Sequence, residues 1–283
     1  MILREPCLPP GWYPRDRSRI SEFLEPFARG DIAQGGVAGA VAVAAPHAGW
    51  VYSGHTAAIA VSSLARDADT VVVIGGHLPR GMPVLVAAED GVKTPLGTMI
   101  IDEKLREELK KHLESGPDRY QDNTVEVQLP MVHYFFPQAD LLWLRFPAEI
   151  SSFEAGKTLF RTAQDLGRRI VVVASTDLTH YGRNYGFSPR GSGKAALEWV
   201  KTVNDAAFIG AVLDGDPSRV LERAEEDFSA CSAGAVLGAL GFTAHLNMRS
   251  RLLDYRTSAD IGSEDEIPDS FVGYAAVAFG TTL

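Results

Sequence analysis

The chain has 283 residues, 46% hydrophobic and 22% charged, an ordinary globular composition with length enough for a substantial core. Its 27 Lys and Arg stand against 36 Asp and Glu, a net charge of −9, which argues against nucleic acid and anionic membrane as partners because both need a basic surface. The start lacks a signal-peptide layout, no apolar run reaches the ~20 residues of a membrane helix, and the two cysteines are too few for a disulfide framework, so the expected location is cytoplasmic.

Residues 6–14 carry four prolines beside Trp12 and Tyr13, so positions 1–17 read as an extended arm packed on a single domain covering 1–283. Ile20, Phe23, Leu24 and Phe27 have helical spacing and predict a helix over 18–29. Residues 41–45 form a short buried-strand run, followed by Pro46-His-Ala-Gly and a helix expected over about 55–66. Residues 70–74 make a strong strand closed by Gly75-Gly-His-Leu-Pro; a further strand over 84–88 and a charged helix over 102–113 follow. A helix from Asn123 enters Pro130, then come a strand over 141–146 and a helix over 153–166. The strand over 169–174 ends in Ser175-Thr-Asp-Leu-Thr-His-Tyr-Gly. From Ala195 the pattern is mostly helical to about Leu246, and strands over 251–255 and 272–279 close the chain. Val/Ile-rich strands separated by helices predict an α/β fold, an α/β/α sandwich around a mainly parallel sheet. The late strands add antiparallel members, so the sheet is expected to be mixed.

Three histidines occupy equivalent places. His47, His77 and His180 each lie just past an apolar strand in a loop rich in Gly, Pro or Ser. Open α/β sheets bind ligands outside the carboxyl ends of their strands. One such residue alone reads as a turn histidine bonded to backbone; three at matching positions read as a site. Cys231 precedes a run of small and apolar residues with helix-like spacing, and a helix N-terminus favours thiolate, the metal-binding form. A small buried hydrophobe is the plainer reading of that cysteine. Asp177, three residues before His180, has the place of a carboxylate that orients a ligand histidine or its bound water, or simply of a turn cap. Glu126 reads equally as a site carboxylate and as a solvated helix residue. His55 and Tyr181 adjoin the histidine loops and are expected around the pocket. His112 reads as surface, and His133 and His245 as packing residues. Phosphate-loop, H-E-x-x-H, C-x-x-C and G-x-S-x-G patterns are absent, and Gly35-Gly-Val-Ala-Gly precedes a strand rather than following one, so it is no dinucleotide fingerprint.

At these residues the chain resembles the Memo family. The blocks Ala45-Pro-His-Ala-Gly-Trp-Val-Tyr-Ser-Gly, Thr94-Pro-Leu-Gly, Val125-Glu-Val-Gln-Leu-Pro, Ser175-Thr-Asp-Leu-Thr-His-Tyr-Gly and Val272-Gly-Tyr-Ala-Ala stand in that family's order across nearly the whole chain. Arg4-Glu-Pro and Gly11-Trp-Tyr-Pro also look like its opening. The family is similar in fold to class III extradiol ring-cleaving dioxygenases, which hold non-haem Fe(II) with two histidines and a carboxylate. The resemblance implies His47, His77 and Cys231 as metal ligands, the cysteine replacing the carboxylate. It implies His180 as the acid/base group. Two departures stand out: Gly75-Gly-His is one residue shorter than the family's G-P-x-H loop, and its D-E-H-S block reads Asp122-Asn-Thr here, so the carboxylate carried over is Glu126. The activity so implied is an oxidoreductase using Fe(II), with Cu as a second metal and Zn, for a hydrolase, as a third. The expected occupant of the pocket is a small-molecule substrate or, if the protein is a non-catalytic binding module, a peptide. A functional link to a radical-SAM protein is implied as well.

Overall fold

The computed structural model describes residues 1–30, 39–246, 249–261 and 267–281. The Gly35-Gly-Val stretch therefore lies outside the described residues.

The strands are β1 (Leu3–Arg4), β2 (Ala42–Ala45), β3 (Thr70–Leu78), β4 (Val84–Ala87), β5 (Gly91–Thr94), β6 (Gly97–Ile100), β7 (Ser115–Asp118), β8 (Asp140–Pro147), β9 (Ile170–Ser175), β10 (His180–Gly182), β11 (Arg249–Thr257) and β12 (Ser270–Thr281). The helices are α1 (Arg17–Arg29), α2 (Trp50–Ser62), α3 (Glu103–His112), α4 (Asn123–Glu126), α5 (Leu129–Phe135), α6 (Ser151–Asp165), α7 (Lys194–Trp199), α8 (Asp205–Asp214), α9 (Pro217–Glu226) and α10 (Ala233–Thr243). Nine strands form one mixed sheet in the order β10-β12-β2-β9-β3-β8-β4-β7, with β11 paired to β12. Its centre, β2-β9-β3-β8, is parallel, while β12 runs antiparallel to β2 and β4 antiparallel to β8.

The parallel centre follows from composition. Residues 71–74, 141–144 and 171–173 are buried on both alternations of their strands, so these segments read as unbroken apolar runs. The connection from β2 to β3 runs one way along the sheet and that from β8 to β9 runs back. Right-handed crossovers therefore place α2 and α6 on opposite faces. α10 packs against α6 and the parallel strands, and α2 packs with α1 and α5. The fold is thus a mixed α/β sheet flanked by helices, as expected.

Several expectations need correcting. The helix after His47 starts at Trp50, five residues earlier than expected, with Gly49 as its cap. Its N-terminus therefore adjoins the histidine loop directly, and His55 falls in the middle of the helix rather than at its start. β3 continues past Ile74 to Leu78 with a register irregularity after Gly75, so His77 lies in a kinked strand end rather than a free loop. The arm is not wholly extended without partners: β1 pairs in parallel with β5, and β5 pairs with β6, making a separate three-stranded sheet that periodicity had not shown. Runs of two to four residues with mixed polarity carry too little period to be read. Among the described residues no helix is long and apolar enough to cross a membrane.

Candidate functional site

Because β2, β9 and β3 are adjacent and parallel, the chain leaves all three at the same edge. His47 stands two residues past β2, and Asp177 two residues past β9. The His47 N–H donates to Asp177 Oδ1 at 2.7 Å, joining the two loops. The His47 ring is buried, with Nδ1 3.1 Å from Ser175 Oγ, a hydroxyl that also accepts from Gln128 Nε2 at 3.1 Å.

His77 has φ of +57°, a left-handed conformation that costs a non-glycine residue energy and occurs where surrounding contacts impose it. Gly76 shows what imposes it here. A Cβ on Gly76 would stand 2.4 Å from the Ser232 side chain, so only glycine lets β3 turn against the start of α10. That close approach brings the preceding residue, Cys231, to the two histidines. The segment is tied down by Cys231 N–H donating to the Asp177 carbonyl at 3.3 Å and Ser232 N–H donating to Thr176 Oγ1 at 3.2 Å.

Cys231 Sγ lies 3.2 Å from His47 Nε2, and the His47 and His77 rings meet edge to face at 5.0 Å. One donor atom from each of His47, His77 and Cys231 lies within 4.8 Å of the others. His77 Nδ1 is 3.2 Å from Asp122 Oδ2. A carboxylate only accepts, so Nδ1 carries a proton and Nε2 is the nitrogen that a metal would take. Arg145 pairs with the same Asp122 oxygen at 3.3 Å and with Asp118 at 3.6 Å.

The three groups set one another's charge. Burial alone would raise the Cys231 pKa, but His47 and His77 outweigh it and hold the thiol well below its ordinary value. Burial works against a charge on His47, yet Cys231 and Asp177 raise its pKa. The same opposition at His77 is won by Asp122 and Cys231, which push it to about 10. Asp177 is raised by burial. Each of the three is thus shifted toward its charged form by the others, and a metal ion bound by them would displace protons from the group.

A cavity of about 570 Å³ opens over this cluster. His47, His77, Asp177 and His180 form one end, with Trp12, Tyr52 and Tyr185 among its walls. His180 begins β10, opposite Val272 of β12, and its ring meets Tyr185 edge to face at 4.9 Å. Its Nδ1 is 3.0 Å from the Leu178 carbonyl. Since a carbonyl cannot donate, Nδ1 bears the proton of the neutral ring and Nε2 is the basic nitrogen.

Other residues singled out from sequence lie elsewhere. Tyr181 alternates with His180 along β10 and is buried against Phe271, its hydroxyl donating to the Gly191 carbonyl at 3.0 Å. His55, in the middle of α2, packs edge-on to Phe27 and faces Asp254 and Arg256. Glu126 faces the arm: Cys7 N–H donates to it at 2.8 Å, Leu8 N–H at 3.0 Å, and the Cys7 thiol and Tyr13 hydroxyl each at 2.7 Å. The arm so held supplies Pro10, Gly11 and Trp12 to the cavity wall. The carboxylate beside a site histidine is Asp122, which caps α4 one turn earlier. The aspartate of the altered D-E-H-S block is its only sequence signal. His112 is on the surface against Glu108, His133 pairs with Thr94, and His245 packs on Phe160.

Comparison with known proteins adds a family to this geometry. The Memo family (Memo-like protein) matches residues 4–278. A MEMO1 family protein of Pyrococcus abyssi is 33% identical over 293 residues, covering 98% of this chain and 99% of that protein. One from Methanosarcina mazei is 31% identical over 288 residues, with 98% and 99% covered. Among solved structures, an uncharacterized protein of Escherichia coli K12 matches with TM-score 0.46 and 14% identity, over 83% of this chain and 98% of that one.

Proposed function

The chain belongs to the Memo family, and from that premise we propose that it holds one transition-metal ion on His47, His77 and Cys231 and acts as an oxidoreductase on a small molecule in the adjoining cavity. The carrying observation is the convergence of three donors from three separate elements within 4.8 Å. Metal–nitrogen and metal–sulfur bonds of about 2.1 and 2.3 Å at 90–109° separate the donor atoms by roughly 3.1–3.6 Å. The 3.2 Å between Cys231 Sγ and His47 Nε2 fits a shared ion. The hydrogen-bonding of each imidazole supports this set too: Asp122 fixes the ring orientation of His77, and Ser175 stands in the same place for His47.

Two imidazoles and a thiolate suit Fe(II) or Cu far better than Mg, and Zn satisfies the same set in a hydrolase. His47, His77 and Cys231 would hold Fe(II), which would supply redox chemistry there. The chain's own residues do the rest. His180 Nε2, unprotonated in the neutral ring, takes a proton from a group in the cavity and returns it. Asp177 joins the β2 and β9 loops and keeps His47 in place. Trp12, Tyr52 and Tyr185 give the cavity aromatic walls. No Lys or Arg lines it among the described residues, so the positive charge available to a ligand there is that of the imidazoles or of an ion they hold.

A non-catalytic binding module is the competing reading, favoured by exposed Val51 and Tyr52 where the cavity opens. The test is elemental analysis of protein purified without oxygen, followed by oxygen uptake on the loaded protein with candidate substrates. One equivalent of Fe or Cu is expected. Stoichiometric loading that survives His47→Ala and Cys231→Ala together would remove the proposed site.

A further inference from the structure

Segment 177–180 carries Asp177 and His180 to the cavity, and its buried middle residue is gripped from behind. Thr179 donates its N–H to Asp205 Oδ1 at 3.1 Å and its hydroxyl to the same oxygen. Asn204 Nδ2 donates to Thr179 Oγ1 at 2.9 Å and to the Asp227 carbonyl at 2.9 Å. The Tyr255 hydroxyl donates to Asp205 Oδ2 at 2.7 Å. From the other side, Gly273 N–H donates to the Thr179 carbonyl at 3.0 Å and Leu178 N–H donates to the Gly273 carbonyl at 2.9 Å. A Cβ on Gly273 would stand 2.0 Å from Asp205 Oδ2, so the carboxylate fits only against glycine.

Local helix geometry serves the same contact. Between α7 and α8, residues Val200–Asn204 form a π turn, a rare widening often found at functional sites. Consecutive α-helical residues point about 100° apart. Here Asn204 and Asp205, consecutive and just at the end of that turn, both reach Thr179. Asp205 is itself an expensive way to hold a loop, since burial pushes its pKa up to about 6 despite its three donors.

We propose that Asp205 is a positioning residue for His180. Through Thr179 it fixes the Leu178 carbonyl; that carbonyl keeps the ring proton on His180 Nδ1 and leaves Nε2 basic toward the cavity. The hydrogen-bond chain runs from Asp205 to Thr179, along one peptide to Leu178, and back to the imidazole. Its catalytic consequence rests on the reading of His180 as the proton-transfer group. The orientation itself needs neither metal nor substrate.

The experiment is a long-range proton–nitrogen NMR spectrum of metal-free protein labelled with nitrogen-15 histidine, which reports which ring nitrogen bears the proton. Wild type is expected to show His180 as the Nδ1–H form alone. In Asp205→Asn that single form should be lost to a mixture with Nε2–H, while His133, held by Thr94, keeps its signals as an internal control. Tyr255→Phe removes one donor from the same carboxylate and should give a smaller shift, so a failure of Asp205→Asn to fold leaves a second readout. A wild-type His180 signal in a folded Asp205→Asn, or in Tyr255→Phe if only that folds, overturns the proposal. Metal content tests the proposed site separately, and either result can fail without the other.

Discussion

A buried polar set at one end of the parallel strands contrasts with an exposed ion pair at the other. At the cavity end His47, Gln128, Ser175 and Asp177 are buried, and each has an assigned partner in a neighbouring loop. At the opposite end, near the starts of β3 and β9, Arg169 pairs with Asp69 at 2.7 Å and with Asp67 at 3.0 Å in open solvent. Beside that pair lies a mainly apolar groove walled by Val41, Phe160 and Phe242. Removing a dry polar group leaves its partner unsatisfied, whereas water replaces a wet one. The buried cavity set is thus intolerant and the exposed pair tolerant, although the pair's end of the sheet also buries Thr70, whose hydroxyl donates to Asp102 at 2.7 Å.

The largest expected effect comes from the buried set. His47→Ala or Cys231→Ala should weaken metal binding by far more than the ~10–100-fold typical of lost supporting groups, measured by competition with a chelator. Cys7→Ser should leave affinity at the wild-type level, because the Cys7 thiol is engaged with Glu126 and raised to about 12. Equal losses at the two cysteines would place the third ligand elsewhere.

The next effect is a pH dependence. The Asp205 pKa of about 6 lies above its ordinary 3.8, so between those values the native state holds a proton that the unfolded chain has released. Its contribution is present below pH 4 and lost as pH rises through 6, a difference of about 3 kcal/mol at most. Asp205→Asn lacks this dependence. Urea unfolding at pH 4 and pH 7 should show wild type losing stability relative to the variant; parallel curves would mean that the carboxylate is not the anion described here.

Asp122→Asn is expected to cost ~10–100-fold in metal affinity by loosening the His77 ring. Glu126→Gln, one helical turn on, should leave affinity close to wild type, because its carboxylate holds the arm. A reversed order would show that the arm, rather than Asp122, governs the site.

The contrast between these two carboxylates marks where the sequence stops being legible. Strand ends are local, so the hydrophobic runs at 41–45, 70–74 and 169–174 are enough to place His47, His77 and His180 at one edge. Which side of a four-residue helix meets His77 is a tertiary fact, and Asp122 and Glu126 look alike in a pattern. The π turn before Asp205 has no composition signal, and the kink at His77 depends on Ser232, more than 150 residues away in sequence. Cys231 was legible as a helix-terminal thiol; its two histidine neighbours came only through the family resemblance and then the fold.

The smallest effect belongs to the exposed pair. Asp69 is held to about 2 by hydrogen bonds from Arg169, so its pairing is present above the ordinary carboxylate pKa and lost as pH falls through 2. Both side chains are nonetheless solvent-accessible, at 62% for Arg169 and 32% for Asp69, and water and salt screen the attraction. Exposed pairs are typically worth ~0.2–1 kcal/mol. Asp69→Asn also preserves the backbone bonds in which Asp69 N–H donates to the Arg169 carbonyl and Asp140 N–H to the Asp69 carbonyl, at 2.8 and 2.9 Å. Urea unfolding should therefore show a loss below ~1 kcal/mol that shrinks further in high salt. A loss approaching ~3 kcal/mol, the size of the pH effect expected at Asp205, would mean that this pair is as intolerant of change as the buried set, and the contrast would fall.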